Sequence, residues 1–168
     1  MMKHNRLGVD VGGVIISRQN DHTDTSFFGH NYLKTTAVEE VFECLRQLRE
    51  GGFEVFIVSK CGANVQRKTL EWMAHHRFFE RTGIASTHVH FCRTRPEKAP
   101  ICERHGITHF VDDRLDVLDY LKTVEQLYLF QPNDADYREW QRGHRAHCFT
   151  DWPSLTARLL QELAICRK

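Results

Sequence analysis

Apolar residues fall into short β-rich runs separated by longer stretches with helical spacing. The runs are Arg6 to Val11, Phe53 to Val58, Thr87 to Cys92, Thr108 to Val111, Gln126 to Phe130 and Ala146 to Phe149. Each is bounded by glycine or polar residues, as buried strands are. Between them, Val38, Val41, Phe42, Leu45 and Leu48 form a helical stripe that Gly51-Gly52 ends. Thr36-Ala37-Val38-Glu39 has capping-box form and predicts that this helix opens there. Further helices are predicted over 64–76, 98–105, 115–123 and 152–164. Pro100 confines the second of these to a start after about Ala99. Thr150 or Asp151 caps the last. The connector from Pro132 to Gly143 is polar, with one helical turn around Tyr137 to Trp140.

Strands alternating with helices specify an α/β fold: a doubly wound, Rossmann-like parallel sheet with helices on both faces. The whole chain, 1–168, reads as a single domain with no repeat and no linker. Residues 17–36 are polar around a small aromatic knot, Phe27-Phe28, and read as a flap. Loops of that length are usually functional or mobile.

Ligands of an open parallel sheet bind beyond the carboxyl ends of its strands. The first strand ends at Asp10, the second at Ser59, and a later one at Asp112-Asp113, with Asp116 a helical turn further on. Lys98 opens the helix before that last strand. Two or three carboxylates around an open cavity suit Mg²⁺, a hard cation with oxygen ligands. A lysine and a serine beside them suit a phosphoryl group. An aspartate at a strand tip can act as a nucleophile on phosphorus.

Composition narrows the picture. With 23 Lys+Arg against 22 Asp+Glu, net charge indicates neither nucleic acid nor an acidic membrane surface as a partner. There is no run of about 18 apolar residues for a membrane span, and Met1 to Arg6 lacks the layout of an export signal. A cytoplasmic protein with reduced thiols at its six cysteines is the expectation. Eleven histidines invite a metal cluster, but no spacing matches a closed zinc site.

The residues at the strand ends resemble the four motifs of the haloacid dehalogenase-like (HAD) superfamily. Leu7-Gly8-Val9-Asp10-Val11-Gly12-Gly13-Val14 is similar to the first, Phe56-Ile57-Val58-Ser59 to the second, Lys98 to the third, and Phe110-Val111-Asp112-Asp113 with Asp116 to the fourth. The resemblance implies an HAD-like fold without a large cap. It implies Asp10 as nucleophile and Mg²⁺ ligand, Gly12 as a ligand through its carbonyl, and Asp112, with Asp113 or Asp116, completing the metal site. Ser59 and Lys98 would hold the phosphoryl group, with Lys60 and Asn64 near enough in sequence to touch substrate.

One departure stands out. Phosphatases of this family carry a second aspartate two residues after the nucleophile, which protonates the leaving group and then activates water. Here that position is Gly12. Acid–base help of this kind is worth roughly 10²–10⁴-fold. Three functions compete. In the first, the protein is a capless Mg²⁺-dependent phosphohydrolase or phosphotransferase, with Asp21, His22, Asp24, His30 or the substrate replacing the missing acid. In the second, an impaired member binds Mg²⁺ and a phosphorylated ligand or a protein partner. The third, a receiver-like phospho-accepting module, fits the aspartate layout poorly. The substrate would be a phosphorylated small molecule, a nucleotide or a phosphorylated macromolecule. An oligomer partner is one way to close an open site. Arg93, Arg95 and Lys98 offer charge for further phosphates, and Trp140 is a candidate to stack a base.

Overall fold

The computed structural model describes residues 4–19 and 21–167. Six strands form one sheet: β1 (Arg6–Val9), β2 (Glu54–Lys60), β3 (Val89–Cys92), β4 (His109–Asp112), β5 (Gln126–Phe130) and β6 (His147–Phe149). Their order is β3-β2-β1-β4-β5-β6, and every pairing is parallel. The helices are α1 (Val41–Gly51), α2 (Ala63–His75), α3 (Phe78–Thr82), α4 (Lys98–Arg104), α5 (Leu115–Tyr120), α6 (Asp134–Gln141) and α7 (Trp152–Cys166).

The period-2 alternation of each strand divides its side chains between two cores. Leu7, Val55, Ile57, Val111, Tyr128 and Phe130 face a core built with α1, α2, α3 and α7. Phe56, Val58, Phe110, Leu127 and Leu129 face a smaller core built with α4 and α5. Both faces are covered, which is why these strands read as continuous apolar runs. A Cβ at Gly8 would lie 2.4 Å from the Phe110 ring, so β1 needs a residue without a side chain there for Phe110 to cross it.

Several boundaries differ from the sequence expectation. The capping box does not open α1. Val38 N–H donates to Ile15 O at 2.8 Å and Ser17 N–H to Thr36 O at 2.9 Å, so this stretch pairs with the residues after β1. The helix starts only at Val41, behind Glu40 in the left-handed region. Pro100 lies within the first turn of α4 rather than before it, where a missing N–H costs nothing. The short helix α3 was absent from the expectation. The turn expected near Tyr137 is the two-turn α6, capped by Asn133, whose side chain accepts from Asp136 N. Asp151, not Thr150, caps α7.

The later part of the flap, residues 29–35, is docked rather than free-standing. Trp72 Nε1 donates to Thr35 O at 2.9 Å and His76 Nε2 to Leu33 O at 2.8 Å. Tyr32 donates to Glu71, and Lys68 Nζ reaches Gly29 O at 3.3 Å. The segment is thereby fixed along α2. All six cysteines are free thiols. Among the described residues, no helix is long and apolar enough to cross a membrane.

Candidate active site

In this strand order the chain reverses direction across the sheet beside β1, so the carboxyl ends of β1 and β4 flank the switch point. Asp10 follows β1, and its N–H donates to Val111 O at 3.0 Å, which fixes it beside β4. Asp112 is the last residue of β4 and Lys98 the first of α4. Lys98 Nζ donates to Asp10 Oδ1 and Asp112 Oδ2, both at 2.8 Å, and is only 2% exposed. Burial alone would discharge this ammonium, but the Asp10 and Asp112 carboxylates outweigh it and hold the lysine above its ordinary range.

Asp112 Oδ1 accepts from Arg114 N at 3.0 Å. Asp113 Oδ2 pairs with Arg18 Nη1 at 3.0 Å, while its Oδ1 is buried with no hydrogen-bond partner. Asp10, Asp112 and Asp113 each present a carboxylate oxygen within 4.8 Å of the others, the one group of this kind among the described residues. Burial, and next the neighbouring Asp10 charge, push Asp112 up to about 6. Burial, then Asp10 and Asp112, push Asp113 up to about 8 despite Arg18. Oxygen donors only, mutual repulsion and an unpartnered buried oxygen together fit a hard divalent cation.

The turn after Asp10 shapes the approach to these groups. Val14, Ile15 and Ile16 N–H all point at Val11 O. Gly13 sits at φ 78°, and a Cβ there would lie 2.6 Å from Asp113 Oδ2. Gly12 needs no special backbone angle, but a Cβ there would meet Arg18 Nη2 at 3.3 Å. The guanidinium of Arg18 therefore occupies the space beside Gly12.

A cavity of about 320 Å³ opens over the cluster. Its floor is Asp10, Asp112, Asp113, Lys98 and Ser59, and Arg18, Lys60, Arg95 and Arg114 also line it. Phe27, Phe28 and Val65 supply apolar surface, and Phe28 is 68% exposed.

Other expected residues fall elsewhere. Asp116 stays out of the carboxylate cluster, pairing with Arg95 at 3.3 Å and Arg114 at 3.1 Å. Of the flap's candidate acids and bases, Asp21 lines the cavity, whereas His22, Asp24 and His30 do not. Arg93 ties loops together, donating to Cys61 O and Gln66, and Asn64 accepts from Arg67. Trp140 donates to Ala146 O at 2.8 Å and packs on the smaller core, and it does not line the cavity. Arg18 and Arg114 were not among the expected site residues. The signal for Arg18 was faint: a residue without a side chain at 12 and a cation six positions on.

No protein-family model matches the sequence, and no curated protein matches it. Solved structures do match in fold. The chain is similar to D,D-heptose 1,7-bisphosphate phosphatase from B. bronchiseptica, complexed with magnesium and phosphate, at 16% identity and TM-score 0.69, covering 94% of this chain and 99% of that one. It is also similar to a HAD family hydrolase from Deinococcus radiodurans R1 with bound phosphate and sodium, at 13% identity and TM-score 0.64, covering 94% and 95%. A third is the cobalt-bound deoxy-D-mannose-octulosonate 8-phosphate phosphatase from Haemophilus influenzae, at 13% identity and TM-score 0.58, covering 95% and 89%. The chain therefore has the fold of these HAD phosphatases.

Proposed function

We propose that this protein is a HAD-type, Mg²⁺-dependent phosphohydrolase or phosphotransferase that works through an aspartyl-phosphate on Asp10. The observation that carries the reading is Lys98, buried and bridging Asp10 and Asp112 at the floor of an open cavity. Burying a lysine with two carboxylates is costly for stability alone, and function accounts for that cost. The fold shared with phosphatases crystallised with magnesium and phosphate supports the same reading.

Asp10, Asp112 and Asp113 would hold the Mg²⁺, with the Gly12 carbonyl as the motif resemblance implies. Bound there, the cation would neutralise charge on the phosphoryl oxygens. Lys98 holds the Asp10 side chain oriented by its hydrogen bond, so that a carboxylate oxygen can add to phosphorus. Ser59, buried on the cavity floor, donates to the phosphoryl group, and Lys60 meets the rest of the substrate at the mouth. That substrate is a phosphorylated compound.

The test is hydrolysis of an aryl phosphate with and without Mg²⁺, beside Asp10→Asn. The expected result is Mg²⁺-dependent release that falls at least about 10³-fold in the variant. Gly12 favours one other reading, a protein that binds Mg²⁺ and a phosphorylated ligand without turnover. Calorimetric Mg²⁺ binding with no release from the aryl ester would establish that reading instead.

A further inference from the structure

The side chains above the carboxylate floor raise a question of chemistry: what could protonate a departing oxygen? Among the described residues lining the cavity there is no histidine, glutamate or tyrosine, and the one acid outside the carboxylate cluster is Asp21, whose N–H donates to Arg18 O at 3.2 Å. Asp112 and Asp113 belong to the cation cluster, and Lys98 is tied to two carboxylates. The Cys61 thiol, which burial pushes up, is a poor donor. What the cavity offers in greater number is cationic side chains: Arg18, Lys60, Arg95 and Arg114. Arg18 is the best placed of these. Its guanidinium lies 3.3 Å from where a Cβ of Gly12 would be, two residues from the nucleophile, and it pairs there with Asp113. Half of its side chain is exposed, so it can turn toward a ligand.

A guanidinium cannot give up its proton at neutral pH, but it stabilises an oxyanion with directed hydrogen bonds. We infer that the site is built for a phosphoryl group whose leaving group departs as an anion, a phosphoanhydride or an acyl phosphate, with Arg18 receiving the departing oxygen. This rests on the phosphohydrolase reading above. In the first step a carboxylate oxygen of Asp10 bonds to phosphorus. The bond from phosphorus to the leaving oxygen breaks, and its electron pair stays on that oxygen. The product is a phosphate or carboxylate anion that needs no proton. In the second step water adds to phosphorus and the bond to Asp10 breaks, regenerating the carboxylate. The water proton ends on the released phosphate. An alkyl ester could not follow this course, because an alkoxide must be protonated as it leaves.

The extra cations agree with an anionic leaving group. Arg95 and Arg114 share a single partner, Asp116, and Lys60 makes no ion pair among the described residues. A departing phosphate or carboxylate would meet more positive charge than a neutral sugar alcohol needs.

The experiment measures kcat/KM with Mg²⁺ for pyrophosphate, acetyl phosphate, p-nitrophenyl phosphate and glycerol 3-phosphate, in the natural protein, Arg18→Ala and Arg18→Lys. Pyrophosphate and acetyl phosphate distinguish the anhydride from the acyl source. We expect at least one of them to exceed glycerol 3-phosphate by roughly 10² or more, the scale of the missing acid. Arg18→Ala should cost that substrate at least ten times more than it costs p-nitrophenyl phosphate, and Arg18→Lys should restore part of the loss. Turnover of glycerol 3-phosphate within tenfold of both overturns the inference. So does an equal loss on all substrates in Arg18→Ala, which would leave Arg18 as no more than a partner for Asp113. Absence of Mg²⁺-dependent turnover of p-nitrophenyl phosphate would instead overturn the phosphohydrolase reading itself.

Discussion

Two buried polar networks lie on this sheet, and they are built on opposite principles. On β4, β5 and α7, Glu162 receives Tyr128 Oη at 2.8 Å, Arg158 Nε at 3.1 Å and faces His109 Nε2 at 3.1 Å. One carboxylate is surrounded by donors, with a cation beside it. At the carboxyl ends of β1 and β4, three carboxylates share Lys98 and Arg18, and one buried oxygen is left over. The first arrangement is satisfied and serves the fold. The second is short of positive charge, as a site for a cation would be. Strain of this sort is characteristic of functional sites and is offset by the rest of the fold.

Removing the central group of each network should expose the difference. The largest effect is expected for Lys98→Met. It takes a fully buried cation from Asp10 and Asp112, and breaking a buried pair costs about 3–5 kcal/mol. Urea denaturation should show that loss, and added Mg²⁺ should recover part of it by occupying the same carboxylates. Glu162→Ala should cost about 2–3 kcal/mol, because it strands the buried Tyr128 hydroxyl. Here Mg²⁺ should restore nothing and aryl phosphate turnover should be unchanged. Rescue of both variants by Mg²⁺, or of neither, would erase the distinction between the networks.

How much of this was legible in the sequence follows the same division. Backbone-borne positions were readable. Gln126 to Phe130 was expected as a strand and is one, residue for residue. Asp10, Ser59 and Asp112 lie where β-rich runs end, and the motif intervals added Lys98. Groups positioned by long side chains or by distant pairing were not readable. Arg18 reaches the cluster from a polar loop whose composition resembles any solvated segment. Thr36 to Glu39 carries a valid local helix signal, but hydrogen bonds to Ile15 and Ser17, far back along the chain, outweigh it. The docking of the flap's later part uses loop carbonyls, Thr35 O and Leu33 O, as acceptors for Trp72 and His76, and no side-chain pattern reports a carbonyl.

The smallest predicted effect is also the most diagnostic, because its sign is opposite to that of an ordinary substitution. Asp112 and Asp113 have folded-state values pushed up to about 6 and about 8, above the usual carboxyl range. Between about pH 4 and pH 8 the native state therefore holds more protons than the unfolded chain. Stability from these groups is full at the acid end and is lost as pH rises through that window. Lys98 is held charged throughout and adds no slope there. Asp113→Asn removes one of the three charges without changing shape. In metal-free buffer the variant should match the natural protein near pH 5 and exceed its stability by roughly 1–2 kcal/mol near pH 8. The difference between the two proteins is the quantity to measure, since His76, His90 and His147, whose values burial lowers, titrate alike in both. Mg²⁺ should reverse the order, stabilising the natural protein more as its carboxyls ionise. A difference that stays flat from pH 5 to pH 8 would mean that Asp113 is already ionised and balanced by Arg18. The carboxylate cluster would then be as satisfied as the one around Glu162.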